Sequence, residues 1–259
     1  MTVNNIARNQ MSPAMQRLAS GNRVNSAADD AAGAAIIETL TAQLNGLDQG
    51  TRNTLDMQGL VATAEGSLDG VSDSLNRIRE LSVQALNDTN TPANREMIQN
   101  EISQLADQIQ ATVNNTQFNN RNLLDGSAEN LNTASGPDGT GATVSINDMS
   151  SLAQAVANFN VTGSFDLNDI DGALNEVAGQ RAQLGAMMNR FDHTVNANSI
   201  TSLNMADARS RVRDADIAAE MAALSQERVI NEMEVLMQQH HQQRVEEDAQ
   251  AVVGTAAVR

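Results

Sequence analysis

The sequence predicts a mainly helical, elongated rod with a small β element. Three observations predict it. Apolar residues recur at spacings of three and four over residues 28–86, 92–113 and 174–243, the period of a helix with one buried face. Over residues 114–171, Asn, Gly, Ser and Thr accumulate and the period shortens locally to two, as in short strands. Aromatic residues are almost absent, with four Phe and no Tyr or Trp. Compact enzymes use aromatics to fill a core and shape a pocket, whereas helical bundles pack with Leu, Ile, Val, Met and Ala.

The elements follow in order. Residues 1–27 are polar, with a short apolar set at Met11, Met15 and Leu18 that buries too little to fold alone. Asn25 or Ser26 is placed to cap a helix, with Asp29 and Asp30 in its first turn beside the positive end of the dipole. The first long helix covers 31–86. Leu60, Ala64, Leu68, Val71, Leu75, Ile78, Leu81 and Ala85 share one face. Gly46, Gly50, Gly59, Gly66 and Gly70 each weaken it by about 1 kcal/mol relative to Ala. Such small residues also admit a neighbouring backbone.

The turn NDTNTP ends that helix. Thr91 caps the next, with Pro92 at its first position, and Ile98, Ile102, Leu105, Ile109 and Val113 stripe residues 92–113. The two helices form an antiparallel hairpin. In the 114–171 region GPDGTG (Gly136–Gly141) signals a turn. ATVSIND and FNVTGSFDL alternate as strands do, and Ser150–Ala157 can form a helix between them. The third long helix covers 172–205. Leu174, Val177, Leu184, Met188, Phe191 and Val195 form a heptad seam with Arg181 as its one polar interruption. The pattern resumes after Asn198 through Val212, Ile217, Leu224, Ile230, Met233 and Met237. A helix of ~40 residues spans ~60 Å.

The formal net charge is −16, and every base is Arg. That excludes nucleic acid and anionic membrane surfaces as partners, since both require a cationic patch. Without Cys there is no disulfide framework. Neither a secretory signal nor a membrane span is readable, and these rules alone would place the chain in the cytosol.

Sites for chemistry are not readable either. DLNDIDGALNE imitates a calcium loop, but with Gly172 at the sixth position Leu167 falls at the first and Ala178 at the twelfth, where a carboxylate is needed. The segment reads better as a helix N-terminus rich in acids. His240 and His241 are adjacent and diverge on a helix, and His193 stands alone, so no metal is predicted. No nucleophile–base pattern or phosphate loop occurs. No enzyme activity and no cofactor is expected.

Four segments resemble bacterial flagellin. They are LASGNRVNSAADDAAG (Leu18–Gly33), LNRIRELSVQA with IQNEI (Leu75–Ala85, Ile98–Ile102), TQFNNRNLLDG (Thr116–Gly126), and LGAMMNRFDHTVNAN with SRVRDADIAAEM (Leu184–Asn198, Ser210–Met221). Their order and spacing match the family. The resemblance implies a flagellin-like rod with a β-hairpin element and terminal helices paired as a coiled coil. Residues 1–30 and 211–259 would form an inner helical domain and 31–210 the rod, with the β region at 114–171. The variable outer domains of many flagellins would enter between Gly126 and Asp171. That interval is short here, implying a form without large outer domains. Two departures stand out: fewer residues precede SGNRVN than is usual, and RVEEDAQAVVGTAAVR, with Glu246, Glu247 and Asp248, replaces the familiar ending.

The function so implied is self-assembly into the flagellar filament for motility. The chain would be secreted through the flagellar type III apparatus, which needs no cleaved signal. Implied partners are further copies of the chain, a filament cap, hook–filament junction proteins and an export chaperone. A host Toll-like receptor is a further implied partner, through Arg77, Leu81 and Glu101. Leu224, Ile230, Met233 and Met237 are the candidates for subunit packing. A hook–filament junction protein and a secreted helical adhesin or binding module are the alternatives.

Overall fold

The computed structural model describes residues 12–256, with side chains to Val245. Six helices and two small strand pairs occur among them. In chain order they are α1 (Pro13–Ser20), α2 (Ala31–Ala85), α3 (Pro92–Asn115), β1 (Gln117–Phe118), β2 (Arg121–Asn122), β3 (Leu131–Ala134), β4 (Gly141–Val144), α4 (Ser150–Ala157), α5 (Leu167–Arg213) and α6 (Ile217–Ala256). The chain is mainly helical, as predicted. It divides into two compact units, residues 42–205 and the segments flanking them.

The 42–205 unit is organised by the α2 stripe. All eight predicted residues, Leu60 to Ala85, are buried. They share one core with Ile98, Ile102, Ala106, Ile109 and Val113 of α3 and with Ile170, Val177, Leu184 and Phe191 of α5. Each such Leu, Ile or Phe contributes about 1.5–3 kcal/mol on burial. The third position of the α3 stripe is Ala106, while Leu105 is only partly buried. The turn between α2 and α3 forces them to run antiparallel. Arg77 and Glu101, which lie on either side of it, are hydrogen-bonded at 2.8 Å. Thr91 Oγ1 accepts from Asn94 N–H and Pro92 opens α3, which is the expected cap.

The α5 seam differs from expectation by one residue on its second edge. Ile170, Val177, Leu184 and Phe191 hold one edge, and Ala173 and Gln180 hold the other. The polar interruption is therefore Gln180, 1% exposed, whose amide donates to the Ser145 carbonyl at 3.3 Å. Arg181 sits beside the seam and reaches Glu65 and Asp69 of α2 at 2.8 and 2.7 Å. The helix also begins at Leu167, five residues before the expected start. Asp166 caps it, its carboxylate accepting from Asn168 N–H at 2.9 Å, so Gly172 is an ordinary helical position.

The β elements are hairpins. β1 and β2 pair antiparallel through Phe118↔Arg121. Both turn residues, Asn119 and Asn120, have positive φ (50° and 60°). That is the tight hairpin turn that matches strand twist, and Asn tolerates it better than most residues. β3 and β4 pair from Leu131↔Val144 to Ala134↔Gly141, and GPDGTG is their turn. That turn rests on α2. A Cβ at Gly46 would lie 2.8 Å from Pro137 Cα, and one at Gly50 would overlap the Ser135 carbonyl. Asn53 donates to the Ala134 carbonyl and Asn198 of α5 to the Ser135 carbonyl, each at 2.9 Å. Two of the six α2 glycines thus admit backbone, whereas Gly66 and Gly70 face open space.

FNVTGSFDL forms no strand. Its backbone groups are taken by a side chain of α3: Gln99 donates to the Phe159 carbonyl at 3.0 Å and accepts from Val161 N–H at 2.8 Å. Phe159 and Phe165 meet edge to face at 5.6 Å.

Candidate functional site

Two surfaces hold the predicted functional residues. The first belongs to the flanking unit. Ser12 caps α1, and Gly21 ends it at φ 70°, a left-handed position that suits glycine. The next residues then run antiparallel to the break between α5 and α6. Ala215 N–H donates to the Gly21 carbonyl at 2.9 Å, and Arg23 N–H donates to the Arg213 carbonyl at 2.6 Å. Arg213 Nε donates to Asn22 Oδ1 at 2.9 Å, and Arg23 Nη2 to the Val212 carbonyl at 2.8 Å. Asp216 then caps α6, accepting from Ala218 and Ala219 N–H.

The motif following Ser20 and the motif around Arg213, nearly two hundred residues apart, are one clasp. Asp30, not Asn25 or Ser26, caps α2: its Oδ1 accepts from Gly33 N–H at 2.8 Å. Asp29 instead folds back on Asn25 and Ser26. Those backbone hydrogen bonds, from Ser26 and then Asn25, hold its carboxyl below the usual carboxylate range.

Beyond the clasp, α1 packs along α6, with Arg17 paired to Glu220 at 3.2 Å. Glu220, Leu224 and Glu227, spaced by four and three, form the half-buried face of α6. Five other large apolar residues lie round the helix from it. Val229, Ile230, Met233, Leu236 and Met237 form a second row, exposed at 58% to 72%. The four packing candidates therefore divide. Leu224 shares a face with the residues that meet α1, while Ile230, Met233 and Met237 lie on the uncovered one. Glu246, Glu247 and Asp248 fall outside the described side chains.

The second surface is the α2–α3 hairpin. Arg77 sits between Glu101 and Glu80, at 2.8 and 3.0 Å. Its guanidinium pKa is raised by hydrogen bonding first to Glu101 and then to Glu80. Leu81 lies beneath this pair at 2% exposure. Neighbouring Arg79 bonds Asp171 at 2.5 Å, which places the third acid of the calcium-like segment in an ion pair.

Among the described residues no three metal-ligating side chains converge. His193, His240 and His241 are each exposed. No described helix is long and apolar enough to cross a membrane. An open groove beside α4 is lined by Leu152, Phe159, Phe165, Ile170, Asn168 and Glu176, without a nucleophile–base pair. Sequence reasoning missed the clasp partners. Gly21 after an apolar turn was the available signal, since glycine commonly ends helices.

What these surfaces define is a helix-packing structural protein, with contacts rather than chemistry at its functional faces. Residues 1–129 match the bacterial flagellin N-terminal helical region and residues 167–247 the C-terminal helical region. The chain is 37% identical to a flagellin of Halalkalibacterium halodurans over 91% of its length and 89% of that relative's. It is 35% identical to a flagellin of Bacillus subtilis, covering 88% of each. The crystal structure of Bacillus cereus flagellin superposes with a TM-score of 0.52 at 29% identity, covering 61% of this chain and 94% of that one. The chain belongs to the bacterial flagellin family, whose members are structural proteins of the extracellular flagellar filament and not enzymes.

Proposed function

We propose that this chain polymerises into the flagellar filament through the uncovered face of α6. One observation carries the reading: Val229, Ile230, Met233, Leu236 and Met237 form an apolar row with water on it. Burying each such side chain is worth about 1.5–3 kcal/mol, so the row favours any arrangement that covers it. A different face of each neighbouring copy supplies the cover. A contact between unlike faces of identical subunits repeats without closing and generates a helical polymer. In this reading residues 1–30 and 211–259 make the inner domain and 31–210 the rod. The −16 charge opposes close approach, so modest salt should speed growth.

The test is Ile230→Asp with Met233→Asp. Monomer helicity should be unchanged and sedimentable polymer lost. Normal polymer growth would sink the proposal. Electron microscopy separates it from a junction protein, which would give no long filaments. An adhesin role would leave swimming intact after gene deletion.

The same reading adds export through the flagellar type III apparatus, a chaperone on the C-terminal helix, a filament cap and junction proteins. It also adds a host Toll-like receptor at the α2–α3 surface. Arg77 and Glu101 are the exposed groups there, and Leu81 beneath them sets the spacing of the two helices. Arg77→Ala with Glu101→Ala should abolish signalling in a receptor reporter cell, and an undiminished response would remove that partner.

A further inference from the structure

Every side-chain cation in this chain is a guanidinium. The sequence holds 16 basic residues, all Arg, together with no Cys and no Tyr. Carboxylates titrate near pH 4 and His near 6.5, Cys near 8.5, Tyr near 10, Lys near 10.4 and Arg above about 12. The three groups that would fill the interval between His and Arg are all missing. A free amino terminus adds at most one charge near pH 8. The formal charge is therefore nearly constant from about pH 9 to about pH 11.

The ion pairs that join helices obey the same rule. Arg181 ties α5 to Glu65 and Asp69 of α2. Arg79 of α2 holds Asp171 of α5, and Arg77 holds Glu101 of α3 and Glu80. In the flanking unit Arg17 holds Glu220, and Arg23 reaches Asp30. Every partner is a carboxylate. Hydrogen bonding to Glu101, Asp171 and Glu65 raises Arg77, Arg79 and Arg181 further. A Lys at any of these positions would shed its proton partway between about pH 9 and about pH 11.

Paired geometry alone does not account for the bias. Arg52, Arg121 and Arg190 are exposed and have no carboxylate within 4.0 Å among the described residues. No fork-to-carboxylate contact requires Arg over Lys there, and Lys is among the commonest residues of soluble proteins. What Arg supplies at paired and unpaired sites alike is a charge that alkali does not remove.

We propose that this chain builds a filament for an alkaline medium, with net charge and inter-helix ion pairing nearly constant from about pH 9 to about pH 11. The filament half of this rests on the function proposed above; the constancy of charge and ion pairs does not. The test compares wild type with Arg77→Lys/Arg79→Lys/Arg181→Lys at about pH 9 and about pH 11. Electrophoretic mobility and melting of the monomer are measured first, and filament persistence by light scattering second.

Wild-type mobility and Tm should be the same at both values, and filaments grown at the lower should persist at the higher. The Lys variant should match wild type at the lower pH. At the higher it should become more negative by about two charges in mobility and melt at least about 2 °C below wild type. A wild-type mobility shift, dissolution of wild-type filaments at the higher pH, or a Lys variant that tracks wild type would overturn the proposal. Failure to form filaments even at the lower pH would instead count against the filament reading, with the monomer data still deciding the charge argument.

Discussion

Residues 42–205 and the flanking unit are both built from long striped helices, yet their apolar residues meet different surroundings. In the first, Leu60 to Ala85 of α2 lie against α3 and α5 and are sealed from water. In the second, Val24 is the one apolar side chain of the buried core among the described residues. The row from Val229 to Met237 stays exposed among the described residues. A helical period thus shows that a helix has an apolar face, not that the chain itself covers that face. In the first unit it does. In the second no such burial occurs among the described residues, which is why the flanking unit carries the assembly proposal.

Paired substitutions test this contrast most strongly. Leu75→Ala should cost the monomer about 2–5 kcal/mol in urea unfolding. Met233→Ala should change it by no more than about 0.5 kcal/mol while slowing polymerisation. If the two monomer effects were reversed, the division would be wrong.

The glycines of α2 refine the picture within the well-packed unit. Gly50→Ala should cost about 1–3 kcal/mol, because its Cβ meets the Ser135 carbonyl and not a movable side chain. Gly66→Ala should stabilise by about 1 kcal/mol, since nothing is near. Thermal melts would show both, and equal signs would mean that the β3–β4 turn does not rest on α2.

Arg181→Ala should have a smaller effect, under about 1 kcal/mol at low salt and less at high salt. A cost independent of salt would show that Arg181 acts through packing of its stem.

The smallest effect concerns acid. Hydrogen bonds from Ser127 and Asn122 hold the Asp125 carboxyl below the usual range. A depressed pKa gives a contribution that is complete above the unfolded value, near about pH 4, and is lost as pH falls through the folded one. Asp125→Asn should therefore lower Tm at neutral pH and flatten its fall below about pH 4. A changed slope between about pH 6 and about pH 8 would contradict that assignment.

The parts legible in the sequence were those fixed by local period and caps. The α2 stripe, the Thr91–Pro92 start of α3 and the GPDGTG turn needed only neighbours in sequence. What was not legible depended on distant partners. Arg181 and Gln180 are adjacent, and only the positions of Glu65, Asp69 and Ser145 decide which of them points into the seam. The alternation in FNVTGSFDL is genuine, but Gln99 claims its backbone groups. The Asn119–Asn120 turn was a local signal overlooked because the strands around it are two residues long. At the functional surface, Leu224 and Met233 look alike in sequence, and only the position of α1 separates them.

The clasp between Asn22 and Arg213 spans 191 residues. It fastens the two ends of that stretch by backbone contacts that do not involve what lies between. Doubling the length of a closed loop adds only about 0.6 kcal/mol of closure entropy. The middle of such a chain is therefore nearly free to lengthen or shorten, provided that insertions avoid the turn seated on Gly46 and Gly50. A short middle and a long one can share the same fastening, and the ends can hold a fixed partner surface while the outer face is rebuilt.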